Sequence, residues 1–168
     1  PWSCSSKQLL FMNELEDILE MIGDSQLMQV RTPLYTLLAR CLSSDHFQVA
    51  ERTLLMWNNE QLVGTGCFSR NHGDAVLPLV YGPLYEITAN HWNQNVKALA
   101  ESTQKIYMEF NIDLYERCST DHFRQQEEKK KRVERSERCW QKIETNLVGQ
   151  KLEANKREMN GGSEDVPV

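Results

Sequence analysis

The sequence predicts an all-α fold, a solenoid of stacked helix pairs of the HEAT or armadillo kind. Three observations predict it. No stretch alternates apolar and polar residues with the two-residue period of a half-buried strand. Apolar residues recur instead at spacings of three and four, which lay a stripe along one side of a helix. The pattern also repeats. Pro33-Leu34-Tyr35 returns as Pro83-Leu84-Tyr85 and His46-Phe47 as His91-Trp92, while Leu54 lines up with Leu99 at a separation of about 45 residues. Paired helices at such a period bury their apolar faces against neighbouring pairs.

Residues 43–60, SSDHFQVAERTLLMWNNE, form the segment around which the other helices are organised. Asp45 is placed to cap a helix, with Gln48 completing a capping box. Phe47, Ala50, Leu54 and Trp57 fall on one stripe, and Val49, Thr53 and Met56 widen it. A helix this apolar belongs inside a helical layer, where each large side chain contributes roughly 1.5–3 kcal/mol on burial.

In chain order, Ser5 or Ser6 starts a helix that runs to Ile22. Phe11, Leu15, Ile18 and Ile22 are its buried line, and Asn13, Glu16, Asp17 and Glu20 face outward. Gly23 stops it. Residues 24–31 form a short helical turn, and Thr32-Pro33 begin the next helix, whose apolar face is Leu34, Leu37, Leu38 and Cys41. After the central helix, Gly64, Gly66, Asn71, His72 and Gly73 mark a loop with a short helical piece at 60–63. A helix over 74–88 is broken or bent by Pro78 and Pro83. Asn90 caps the next, with Trp92, Val96, Leu99, Thr103, Ile106, Phe110 and Leu114 as its stripe. A charged helix over 120–147 follows, with Val133, Trp140, Ile143 and Leu147 as an inner edge that packs on the end of the array. Residues 1–148 thus form the helical segment. Residues 149–168 are expected to be a disordered tail, because they hold too little apolar surface to fold.

Bulk properties narrow the function. A formal charge of −5 excludes a general nucleic-acid binder, which needs basic residues to neutralise phosphates. No apolar run approaches the length of a membrane span, and no signal peptide is visible. The five cysteines are odd in number and show no short pairing, which fits a reducing interior. The chain opens at Pro1, within what reads as a loop, so a fragment of a longer protein is expected.

Catalytic chemistry finds no support in the residues. His46 and His91 sit just inside helix starts, His72 in a loop and His122 at a helix entrance, none with a second ligand at zinc spacing. No nucleophile elbow, phosphate loop or HExxH pattern occurs. The segment 127–138, EEKKKRVERSER, holds three acid-first i,i+4 pairs, Glu127 with Lys131, Glu128 with Arg132 and Glu134 with Arg138. Within it Lys129, Lys130, Lys131 and Arg132 are either part of a solvated face or a patch for nuclear import or an acidic partner. The polar turns remain, at 43–45, 58–60, 71–74 and 89–93, each either satisfying only its own helix ends or binding a partner, with Ser43, Ser44, Asp45 and His46, and Asn58, Asn59 and Glu60 foremost as binding elements.

The run HFQVAERTLLMWNNE at 46–60 closely resembles the B-prime regulatory subunits of protein phosphatase type 2A. So do FMNELEDILEMI at 11–22, PLYTLLARCLSS at 33–44 and HWNQNVKAL at 91–99, and RSERCWQKIE at 135–144 resembles the family's terminal helix. The likeness covers about residues 2–147 and departs at 61–73, where the sequence is glycine-rich. It implies the C-terminal third of a HEAT-like superhelix that is not an enzyme, needs no cofactor and joins scaffold and catalytic subunits in a heterotrimer. Such a subunit directs phosphoprotein substrate selection in the cytoplasm and nucleus, without nucleic acid or membrane insertion. The family's groove for LxxIxE-type motifs would lie upstream, and the inter-helix turns would touch the catalytic subunit. The rival is a helical scaffold or import-type module that binds an acidic partner through the basic terminal helix. Either way, an apolar face is expected where upstream repeats would stack.

Overall fold

A computed structural model of the chain describes residues 5–64, 66–68 and 70–160, with side-chain surroundings from 6 as far as 147. The helices are α1 (Ser5–Met21), α2 (Asp24–Leu42), α3 (Phe47–Leu55), α4 (Glu60–Gly64), α5 (Gly73–Asn90), α6 (Gln94–Phe110) and α7 (Ile112–Asn160). Short 3-10 turns at Met56–Asn58 and Arg70–His72 flank α4 on the two sides of its loop. No strand occurs among the described residues. Two compact units divide the chain, Pro1–His122 and Phe123–Val168.

The first unit is a stack of helix pairs. α2 packs on α3 and α5 on α6; between the pairs α2 meets α5 and α3 meets α6. Equivalent helices of successive repeats therefore lie side by side, as a solenoid requires. α1 closes on α3 and α4. The centre is where the sequence places it, with Val49, Ala50, Thr53, Leu54, Met56 and Trp57 all buried.

One contact ties the two pairs together. The Trp57 indole Nε1–H donates to the Tyr107 hydroxyl at 2.8 Å, wholly inside the protein. The Trp57 ring lies 4.3 Å from that of Phe68. Close by in sequence, the Tyr35 hydroxyl donates to the Cys67 carbonyl at 2.6 Å, which pins the glycine-rich loop to α2. Gly66 at φ 88° supplies the left-handed turn that delivers Cys67 and Phe68 inward. Burial pushes both tyrosine hydroxyls far above their usual range, so each stays protonated and able to donate.

Several boundaries differ from the sequence expectation, each for a physical reason. Asp24–Leu42 is one helix with Pro33 inside it, rather than a turn followed by a helix that starts at Thr32. An interior proline costs about 3 kcal/mol, but Leu27, 1 % exposed, draws the preceding turns onto the core. Gly23 has an extended backbone and caps α2, its N–H bonded to Gln26 Oε1 at 2.8 Å. Likewise α5 runs unbroken through Pro78 and Pro83 to Asn90. The caps at 45 and 90 shift too. His46 is the N-cap of α3, without a side-chain cap, and Asn93 caps α6, accepting from Asn95 N at 2.9 Å and Val96 N at 3.4 Å. The long stripe ends at Phe110. Asn111 turns the chain and accepts from Leu114 N at 3.0 Å, starting α7.

The buried line of α1 is rotated by one residue from that expected. Met12, Glu16 and Leu19 are buried, while Phe11 and Ile18 are more than half exposed. At the other end of the unit, Tyr81 of α5 meets Tyr115 and His122 of α7 edge-on or tilted. Gly82 permits this approach, since a Cβ there would lie 3.2 Å from His122 Nδ1. Burial pushes the Tyr115 hydroxyl up to about 12.

In the second unit, Glu127–Lys131 and Glu134–Arg138 form i,i+4 ion pairs at 2.7 and 3.6 Å. Val133, Trp140, Ile143 and Leu147, expected to pack inward, are 48–63 % exposed. The helix passes Gly149 and continues to Asn160, where the sequence reading ended it at 147. Gln150, Lys151, Leu152, Glu153 and Ala154 are strong helix formers, and one glycine weakens such a run by about 1 kcal/mol without stopping it. The remainder of the expected tail, 161–168, lies outside the described residues.

Trp57→Phe and Tyr107→Phe each leave one buried polar group without its partner. Each is expected to destabilise the chain by about 1–3 kcal/mol, and the double substitution by less than the sum. Urea unfolding of the three variants measures this.

Candidate partner-binding surface

The α2–α3 turn is built from its own short polar bonds. Ser43 Oγ donates to Ala39 O at 3.1 Å, and Ser44 Oγ accepts from His46 N at 3.2 Å. Both serine hydroxyls therefore serve the turn itself. Asp45 and His46 are exposed on it.

The equivalent α5–α6 turn, residues 91–93, presents an aromatic side chain. His91 Nδ1 accepts from Asn93 N at 3.0 Å, which fixes the imidazole. Trp92 stacks beside that ring at 5.8 Å and meets Phe47 of the preceding repeat edge-on at 5.3 Å. It is nevertheless 71 % exposed. A tryptophan held from two sides yet open to solvent loses little side-chain entropy on binding, which is what an interface anchor needs. Three-four spacing alone would set Trp92 on the buried stripe of α6. It precedes the Asn93 cap, so helical periodicity does not extend to it. The repeat offered the better signal, because it pairs His91-Trp92 with the turn residues His46-Phe47.

The third turn divides its three polar residues. Asn58 and Glu60 are exposed, whereas Asn59 is turned inward. Its Nδ2 donates to Glu16 Oε1 at 2.8 Å and Glu20 Oε1 at 2.9 Å. Its Oδ1 accepts from Gln61 N at 2.9 Å and Leu62 N at 3.4 Å, capping α4. Arg52 completes the cluster, with Nη2 bonded to Glu16 Oε2 and Nε to Asn13 Oδ1 at 2.7 Å. Glu16 was expected to face water but is only 8 % exposed. A carboxylate can be buried there because a guanidinium and an amide both meet it.

Between α1 and α2 an apolar groove of about 510 Å³ is lined by Phe11, Leu15, Ile18, Leu37 and Cys41, among others. Lys129, Lys130, Lys131 and Arg132 occupy consecutive positions of α7, about 100° apart, and so encircle the helix rather than forming one face. Lys131 is engaged by Glu127, whose carboxylate it holds below the usual range through their hydrogen bond. Among the described residues, no three His, Cys, Asp or Glu side chains converge to hold a metal ion. His72 is buried, with Nε2 2.8 Å from Asp24 Oδ1. No helix of the described residues is long and apolar enough to cross a membrane.

Residues 1–147 match the family described as protein phosphatase 2A regulatory B subunit (B56 family). The chain belongs to the B56 family. It is 37 % identical to the mouse serine/threonine-protein phosphatase 2A 56 kDa regulatory subunit alpha isoform over 95 % of its own length and 32 % of that protein. It is 38 % identical to the rabbit delta isoform, covering 86 % of this chain and 24 % of the relative. Identity with the Caenorhabditis elegans regulatory subunit pptr-1 is 36 %, over 86 % and 26 %. The chain therefore spans about a third or less of these relatives.

Asn59→Ala removes four hydrogen bonds at once and is expected to cost about 2–3 kcal/mol, against less than about 0.5 kcal/mol for Asn58→Ala. Thermal denaturation separates the two. Phe11→Glu combined with Ile18→Glu is expected to reduce self-association through the α1–α2 groove, read by sedimentation velocity.

Proposed function

We propose that this chain is part of a non-catalytic regulatory subunit of a protein phosphatase 2A holoenzyme in the cytoplasm and nucleus, contacting scaffold and catalytic subunits and directing substrate selection. The B56 match along residues 1–147 carries this reading. Its mechanism is positional. A stack of packed helices holds its turns at fixed spacing, so a substrate bound to the array meets another chain's active site at high effective concentration. No step of the chemistry needs a residue of this chain.

The geometry sorts the candidate contacts. Asp45, His46, Asn58 and Glu60 expose side chains on successive turns, and Trp92 adds a fixed ring beside them in the repeat. Ser43, Ser44 and Asn59 spend their polar atoms on the fold. The α1–α2 groove suits the helix pair of a preceding repeat in a longer chain, since α2 already buries its other side against α5.

The test is a pull-down with scaffold and catalytic subunits. Asp45→Ala/His46→Ala and Trp92→Ala are each expected to weaken capture about tenfold or more, a loss of about 1.4 kcal/mol, with the helical fold retained by circular dichroism. Capture that survives these changes but is lost on charge reversal at Lys129, Lys130, Lys131 and Arg132 would instead establish the acidic-partner module.

A further inference from the structure

We propose that α7 pairs with α7 of a second copy of this chain as a short parallel coiled coil centred on Val133, Trp140, Ile143 and Leu147. These four are 55, 63, 48 and 52 % exposed, a row of large apolar side chains open along the helix of the second unit. Their spacing is specific. Val133, Trp140 and Leu147 are separated by seven residues, and Ile143 lies three beyond Trp140. A strict seven-residue spacing keeps one seam facing a partner helix, whereas the straight helix's own period would let the row drift away. Val133, Trp140 and Leu147 take the a positions, and Ser136 and Ile143 the d positions.

The charges identify a second copy as the partner. Both intrahelical ion pairs, Glu127–Lys131 and Glu134–Arg138, lie at b and f, on the side away from the seam. Arg132 falls at g and Glu137 at e of the following heptad, both exposed beside the seam. In a parallel pair, g of one helix meets that e of the other, so Arg132 of each copy faces Glu137 of its mate, twice by symmetry. An antiparallel pair would set the e-position acids Glu137 and Glu144 against like charges.

Sedimentation equilibrium in the Phe11→Glu/Ile18→Glu background removes association through the α1–α2 groove and leaves that through α7. A dimer is expected there, converted to monomer by adding Trp140→Glu/Ile143→Glu, with helix content by circular dichroism unchanged. Glu137→Lys is expected to weaken the dimer about tenfold, and Arg132→Glu added to it to restore binding. With Cys4→Ser and Cys139→Ser in place, Ser136→Cys at d is expected to form a disulfide dimer on oxidation and Arg138→Cys at f not to. A monomer at every soluble concentration would overturn the proposal. So would a dimer indifferent to Trp140→Glu/Ile143→Glu, or Ser136→Cys crosslinking no better than Arg138→Cys.

Discussion

The fold depends on burying an indole and a phenol together where two helix pairs meet. Trp57 follows directly on α3 and Tyr107 belongs to α6, so their 2.8 Å hydrogen bond joins one repeat to the next. Both rings carry a polar atom into a region without water, and either alone would leave that atom unpaired. Bonded to each other, they satisfy the donor and set the register of α3 on α6. The second inward tyrosine, Tyr35, does the same for the glycine-rich loop through the Cys67 carbonyl. The glycine-rich loop is held because Gly66 supplies the turn and α2 supplies the donor.

The helical class, the central segment and the repeat are legible in the sequence because they depend on apolar spacing, which many residues express together. Helix ends are less so, because each rests on one or two residues that a distant contact can outweigh. Thr32-Pro33 has the pattern of a helix start, yet the burial of Leu27 carries the helix through it. Asn90 and Asn93 are equally plausible caps from sequence, and only the course of the turn chooses between them. α1 is apolar on two adjacent stripes, and periodicity cannot tell which faces inward. The choice is made by Arg52 and Asn59, residues 36 and 39 or more positions away, which supply partners for Glu16 and Glu20.

The same distinction runs through the candidate site. Polar residues on turns look alike in sequence whether they bind a partner or complete the fold. Asn58, Asn59 and Glu60 show the difference within three positions, since only the middle one is consumed internally. Trp92 shows the converse, an aromatic residue with the look of core that solvent reaches. Along α7, likewise, an apolar row with the spacing of a buried stripe is exposed.

Asn59 also makes the seating of α1 depend on the chemistry of one amide. Hydrolysis of its amide, a spontaneous ageing reaction of asparagine, would replace the Nδ2 donor by an oxygen. A new carboxylate would then stand against Glu16 and Glu20, with Arg52 as the nearby cation. Three acids around one base would push α1 away from α3 and α4. A single unrepaired chemical event could in this way release the first helix while the paired helices behind it stayed joined.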